Sequence, residues 1–302
     1  MMSHIEQYNS DFGIEGQVTF KDGQGDMPIV EVNNTLACAS IALQGAHVLH
    51  YQAVAQSPLI WMSPEVTYAE GKSLRGGVPV CWPWFGPHAV DKALPGHGFA
   101  RTVNWKPVAS AALADGSTQI SFELVATAAS KAACPHALRV RLHMTVGSSL
   151  KLMLETSNLG KTTFTLGAAL HTYLQVGDVR QVRLEGLDAC DYLDKVDGGV
   201  RKSQQGDVLF TQETDRIYLN TGSVCTLVDP SMDRKIVMHS QGSASTVVWN
   251  PWLETANKMG DLGEEGYLNM LCVEVANAAE DVVLLAAGAT HRMQISYTVE
   301  TL

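Results

Sequence analysis

Two segments of this chain are best suited to chemistry: Arg75-Gly76-Gly77-Val78-Pro79 and Pro95-Gly96-His97-Gly98-Phe99-Ala100-Arg101. Each sets an arginine on glycine-punctuated backbone. The second adds an imidazole, and Trp82, Trp84 and Phe85 lie between them. An arginine fork grips phosphate or carboxylate through paired, charge-assisted hydrogen bonds. Glycine lets main chain approach a ligand where a Cβ would collide. Aromatic rings supply flat apolar surface, of the kind that covers the C–H face of a sugar. Together these residues point to a small, polar, anionic ligand.

Two more residues stand apart. His171 follows the apolar Leu166-Gly167-Ala168-Ala169-Leu170 and precedes Thr172-Tyr173, which suggests an imidazole held at a strand end. Glu274 sits inside Met270-Leu271-Cys272-Val273-Glu274-Val275, an acid in an otherwise apolar strand. A carboxyl is rarely buried without a partner, and partial burial raises its pKa towards the range of a useful base. Spacing along the chain cannot place His97, His171 and Glu274 together, so a structural role for each stays open. The other histidines need no special role. His47 and His50 form a His-x-x-His pair, but strand positions three apart face opposite sides and chelate poorly. His136, His143, His239 and His291 lie in or beside strand patterns, as surface or hydrogen-bonded imidazoles. No cluster has metal-ligand spacing and no nucleotide-binding fingerprint is present, so neither metal nor cofactor is expected.

The elements that must carry these residues follow a period of two. Leu138, Val140, Leu142, Met144 and Val146 alternate with Arg139, Arg141, His143 and Thr145, a half-buried strand. Gly147-Ser148-Ser149 turns the chain, and Leu150, Leu152 and Leu154 begin the return strand of a hairpin. Ile120, Phe122 and Leu124 repeat the pattern, as do Met293, Ile295, Tyr297 and Val299. Further strands are expected at 17–20, 29–32, 36–43, 48–51, 182–184, 208–210, 236–238 and 247–249. No long stretch has helical periodicity; the alanine-rich 110–114 is brief. Without a linker, repeat or low-complexity tract, residues 1–302 read as one all-β domain, an antiparallel sandwich or barrel. Most of Trp82, Trp84, Phe85, Phe99, Trp249 and Trp252 belong in its core, with one or two left to meet ligand. Asp261, Glu264 and Glu265 read as a solvated loop, and Lys72 either adds charge beside Arg75 or is solvated.

Composition narrows the partners. The 302 residues are 46% hydrophobic and 17% charged, enough for a sizeable core. A net charge of −10 argues against nucleic acid, whose binding depends on phosphate neutralisation. The polar opening residues lack the apolar core of a signal peptide. The apolar run 282–289 is too short to span a bilayer, which takes about 20 residues. Six scattered cysteines without a Cys-x-x-Cys pair suggest reduced thiols in a cytoplasmic protein that uses no membrane.

The motifs also occur together in a known order. Arg75-Gly-Gly-Val-Pro with Trp82-Pro83-Trp84-Phe85-Gly86, then Leu94-Pro95-Gly96-His97-Gly98-Phe99-Ala100-Arg101, resembles the aldose 1-epimerase superfamily, and within it the hexose-6-phosphate mutarotases (glucose-6-phosphate 1-epimerases). Leu170-His171-Thr172-Tyr173, Asp215-Arg216-Ile217-Tyr218, Trp249-Asn250-Pro251-Trp252 and Cys272-Val273-Glu274 continue the match in register. The resemblance implies a galactose mutarotase-like β-supersandwich, two large antiparallel sheets face to face with the site in a concave groove. It implies His171 as general acid and Glu274 as general base, with His97 and Asp215 binding the sugar and Arg75 and Arg101 available to its phosphate. Relatives with Gln at the position of Gly96 have a side-chain contact that this chain lacks. The implied reaction interconverts α and β anomers through the open-chain aldehyde and needs no cofactor. The implied partner is a small-molecule sugar phosphate, met by a monomer or weak dimer. A free-aldose epimerase, a non-catalytic sugar-binding module and a polysaccharide-processing enzyme are the competing readings. Retention of both His171 and Glu274 weighs against the binding module, and the missing secretion signal against the polysaccharide enzyme.

Overall fold

The alternation over Leu138–Val146 becomes strand geometry. In a computed structural model, which describes residues 3–302, Val140, Leu142, Met144 and Val146 are buried and the residues between them are only partly so. The return strand Ser149–Asn158 pairs Leu150, Leu152 and Leu154 with Val146, Met144 and Leu142, so both rows face one side. This hairpin lies inside a nine-stranded sheet. Across it run Val208–Leu209, Arg183–Glu185, Val224–Asp229, Arg234–Gln241, Thr290–Thr301, Ser149–Asn158, Leu138–Val146, Thr118–Leu124 and Trp105–Ala112.

A second sheet has eight strands. Its path is Val200–Ser203, Asp191–Asp194, Thr214–Leu219, Ser245–Asn250, Met270–Asn277, Ala168–Leu170 and Val80–Cys81, with Tyr173–Gln175 also paired to Met270–Asn277. The ladders of both sheets are antiparallel. Leu142, Leu152, Ile295 and Tyr297 of the larger sheet share one core with Val248, Leu271, Val273 and Val275 of the smaller. Each such side chain contributes roughly 1.5–3 kcal/mol on burial, which holds the two sheets face to face as a β-supersandwich. A four-stranded sheet over Val18–Asp22, Pro28–Asn33, Ala37–Ala42 and His47–Ala53 extends the same core, and Phe164–Leu166 pairs with Val283–Leu285.

Among the described residues three short α-helices accompany the strands: His4–Phe12, Ala128–Ala133 and Trp252–Met259. The first has no fully buried residue, but Ile5, Tyr8 and Phe12 lie along one side and pack partly buried against the core. A capping box between Ser3 and Glu6 starts it, and Asn9 clamps the main chain of Phe20 from both sides at 2.8 Å. The third ends at Gly260, whose N–H donates to the Ala256 carbonyl at φ +70°. The alanine-rich 110–112 belongs to the strand Trp105–Ala112 rather than to a helix. Among the described residues no helix is long and apolar enough to cross a membrane, and all six cysteines are free thiols.

The register of Met270–Asn277 decides where the chemistry lies. Leu271, Val273 and Val275 enter the core between the sheets. With a period of two, Cys272 and Glu274 must point to the opposite face. On that face Cys272 lies between Tyr173 and Trp249, its partners on the two flanking strands, and Glu274 pairs with Val247.

Candidate active site

His171 leaves the strand Ala168–Leu170, with its N–H bonded to the Pro79 carbonyl at 3.0 Å. Its ring stacks on Tyr173 (centroids 5.0 Å, planes 13° apart) and meets the edge of Trp249 at 5.9 Å. That sandwich aims Nε2 at Glu274, 3.3 Å from Oε1. The Glu274 side chain is 1% exposed; its Oε2 and the Nδ1 of His171 have no hydrogen-bond partner. Burial pushes the Glu274 carboxyl well above its ordinary pKa, and the Asp215 carboxylate adds to the shift. Burial likewise drives His171 well below its usual value, reinforced by His97, Arg101 and Arg75. Two unlike titratable groups with opposed shifts, in contact, form a natural acid–base pair.

The pair lies in a cavity of about 280 Å³ that brings together all six residues singled out from the sequence: Arg75, His97, Arg101, His171, Asp215 and Glu274. Gly77 makes the Arg75 loop possible, since at φ +72° any Cβ would run into the His47 imidazole. His47 is a structural residue: its Nε2 donates to the Gly76 carbonyl at 2.8 Å, and burial lowers its pKa to about 4. The Arg75 guanidinium donates to Asp261 Oδ1 at 3.0 Å and to the Tyr173 hydroxyl at 2.9 Å. Asp261 is therefore a buttress for Arg75 rather than part of a wholly solvated loop.

Gly98, also at φ +72°, packs against the Trp82 carbonyl where a Cβ cannot fit, and so fixes the His97 turn. His97 itself takes φ +65°. Its N–H donates to the Gly86 carbonyl at 2.8 Å, while its Nδ1 accepts from the Gly86 N–H at 3.3 Å. With Nδ1 accepting, the neutral ring carries its proton on Nε2. Burial, with Arg101 and Lys195 nearby, lowers His97 to about 4, so at neutral pH it is an uncharged hydrogen-bonding group. Arg101 donates to the Gly96 carbonyl at 3.1 Å. Nothing crowds the Cβ direction at Gly96, where only the Gly86 carbonyl lies within 4 Å.

Lys195, Tyr173, Met259 and Val247 also line the cavity and were not identified from the sequence as site residues. Lys195 is opposite Asp215 across paired strands, with its N–H on the Asp215 carbonyl and Nζ 3.6 Å from Oδ2. Burial raises the pKa of Asp215, and Lys195 draws it back. In the sequence Lys195 is an ordinary polar residue after a short strand; only strand pairing reveals it. Lys72, by contrast, is exposed and absent from the lining. Of the six expected aromatics, Phe85 and Trp249 reach the cavity. Trp82 and Phe99 are core, meeting edge to face at 5.6 Å.

The arrangement can hold a polar ring against Trp249 and Phe85, meet hydroxyls with Asp215 and His97, and hold an anion with Arg101, Lys195 and Arg75. Its acid and base lie close enough to address two oxygens on one carbon.

Comparison with known proteins identifies the family. A family model described as aldose 1-epimerase matches residues 28–298. A protein of Escherichia coli (strain K12), provisionally named a glucose-6-phosphate 1-epimerase, is 36% identical over 270 residues, covering 89% of this chain and 90% of its own. One from Cenchrus ciliaris with the same provisional name is 34% identical, with 86% and 80% covered. The crystal structure of a Salmonella typhimurium protein, provisionally described as a mutarotase, superposes with a TM-score of 0.88 at 31% identity and covers 95% and 94% of the two chains.

Proposed function

The chain belongs to the aldose 1-epimerase family, and we propose that it interconverts the α and β anomers of a hexose 6-phosphate, with D-glucose 6-phosphate as substrate. The observation that carries this reading is the contact of His171 with Glu274, 3.3 Å apart, in a cavity lined by Arg75, Arg101 and Lys195. Ring opening needs a base to take the proton from the anomeric hydroxyl and an acid to protonate the departing ring oxygen. Both oxygens hang from C1, so the two groups must converge on one carbon, each within hydrogen-bond reach of its own oxygen. Glu274 acts as the base and His171 as the acid. Rotation about C1–C2 turns the aldehyde, and reclosure reverses both transfers.

Burial disfavours charge on both groups, which biases the proton they share towards Glu274. A phosphate on Arg101 offsets the repulsion between that guanidinium and an imidazolium, and moves the proton towards His171. Substrate binding thus prepares the acid and the base in one step. The provisional names of the relatives support a phosphorylated hexose. With this reading go a cytoplasmic location, a single domain over 1–302 and a monomer or weak dimer.

Two-dimensional exchange NMR on the two anomers tests the assignment. Added protein should speed exchange of glucose 6-phosphate strongly and that of glucose weakly at equal concentration. Faster exchange of free glucose would instead make the protein an epimerase of unphosphorylated aldoses. No acceleration of either would leave a binding module.

A further inference from the structure

Cys272 is used by neither the acid–base pair nor the sugar contacts, yet it shares a strand face with Glu274 two residues away. Its sulfur, a His171 ring nitrogen and a Glu274 oxygen all lie within 4.8 Å of one another. Among the described residues this is the one group of three such donors. We propose that His171, Cys272 and Glu274 form a binding site for a thiophilic divalent cation, for which Zn²⁺ is the probe, and that its occupation blocks the acid–base pair. The blocking half of this proposal rests on the anomerase reading; the site itself does not.

The geometry suits a tetrahedral ion. With bonds of about 2.0–2.1 Å to nitrogen and 2.0–2.2 Å to oxygen, the edge between those donors is about 3.4 Å. The His171 Nε2 to Glu274 Oε1 distance is 3.3 Å. With a bond of about 2.3 Å to sulfur the sulfur–nitrogen edge is about 3.6 Å, so Cys272 must move inwards by little more than about 1 Å. Tyr173 and Trp249, its neighbours on both sides, exclude bulk water from the sulfur, which is itself fully buried. Nitrogen, thiolate and carboxylate are the donors zinc prefers, and the fourth position is left for water or a cavity ligand.

The cationic lining does not forbid the ion. Before an ion binds, the thiol carries one proton and the His171–Glu274 pair another. On binding, one Zn²⁺ enters as two protons leave to solvent, giving a thiolate, a carboxylate and a neutral imidazole. The net charge of the cluster is unchanged, so Arg75, Arg101 and Lys195 add no net repulsion. The bound ion takes the Glu274 lone pair and the His171 nitrogen that ring opening requires. Sequence spacing could not reveal the site, because His171 lies just past the strand Ala168–Leu170, about a hundred residues upstream.

Titration of the whole metal-free protein with Co²⁺ tests the ligand set without reference to activity. One equivalent should produce a thiolate-to-cobalt charge-transfer band in the near ultraviolet, displaced by Zn²⁺ and lost in Cys272→Ser. In parallel, Zn²⁺ should inhibit glucose 6-phosphate anomer exchange. Even outer-shell partners cost about 10–100-fold in metal affinity, so Cys272→Ser should need at least about 100-fold more Zn²⁺, relative to its own metal-free rate. If circular dichroism shows that variant unfolded, Cys272→Ala and His171→Asn carry the same cobalt test. No band in the wild type, or the same band in every variant, would overturn the site. Equal inhibition of the wild type and the cysteine variants would overturn the blocking role. The band without anomer exchange under any condition would sink the functional reading and leave the site standing.

Discussion

At the scale of single residues, burial acts oppositely on the two members of the pair. It raises the pKa of Glu274 and lowers that of His171, and the neighbouring charges bias where the shared proton goes. Arg101 is the cation best placed to change that balance, because among the described residues its side chain hydrogen-bonds just the Gly96 carbonyl. Arg75 is already spoken for by Asp261 and Tyr173, and Lys195 lies beside Asp215. Arg101→Ala should therefore raise KM for glucose 6-phosphate by about 10- to 100-fold, the loss of a charge-assisted contact of roughly 1.5–3 kcal/mol. Its effect on free glucose should be several-fold smaller. Steady-state kinetics on both sugars checks this, and equal losses would remove Arg101 from phosphate recognition. The site residues named by the motifs were legible one at a time, since His171 and Glu274 each break an apolar strand pattern. Lys195 was not, because a lysine after a strand has no local mark of function.

At the scale of elements, the site depends on which strand faces look away from the inter-sheet core. The alternation in 138–146 and 150–154 was legible because one face of that sheet is partly exposed. Met270–Asn277 is buried on both faces, so its pattern alone could not say which side Glu274 takes. The short helices escaped for a related reason. His4–Phe12 only partly buries Ile5, Tyr8 and Phe12, and Trp252–Met259 is two turns long, so both are too brief for a clear stripe. Yet the segment just past that second helix supplies Asp261, which fixes Arg75. Asp261→Ala should raise KM for glucose 6-phosphate by about 2- to 5-fold, since a partly exposed ion pair is worth about 0.2–1 kcal/mol. The change in kcat should be small. An unchanged KM would mean that Tyr173 alone is enough to hold Arg75.

At the scale of the whole molecule, a chain of net charge −10 carries a cavity lined by three cations, so attraction for an anion is local. No reading of spacing could join His97, His171 and Glu274, which come from three separate stretches; the resemblance to a family supplied that link before the fold did. Burying Glu274 also makes stability depend on pH. Its folded pKa lies above the ordinary 4.5, so between those values the folded state holds more protons than the unfolded one. This stabilising contribution is full below about pH 4.5 and is lost as pH rises. Thermal melts of Glu274→Gln and wild type should differ least near pH 4 and diverge in favour of the variant towards about pH 8. A constant gap would mean that the carboxyl is not held protonated. The central claim is that His171 and Glu274 work as one unit on C1 of a sugar phosphate. Exchange NMR on glucose 6-phosphate with His171→Asn, Glu274→Gln and the double variant tests it most directly. Each single change should cost at least about 10²-fold, with the double variant no slower than the worse single one. Near-wild-type exchange in either single variant, or losses that multiply in the double, would contradict it.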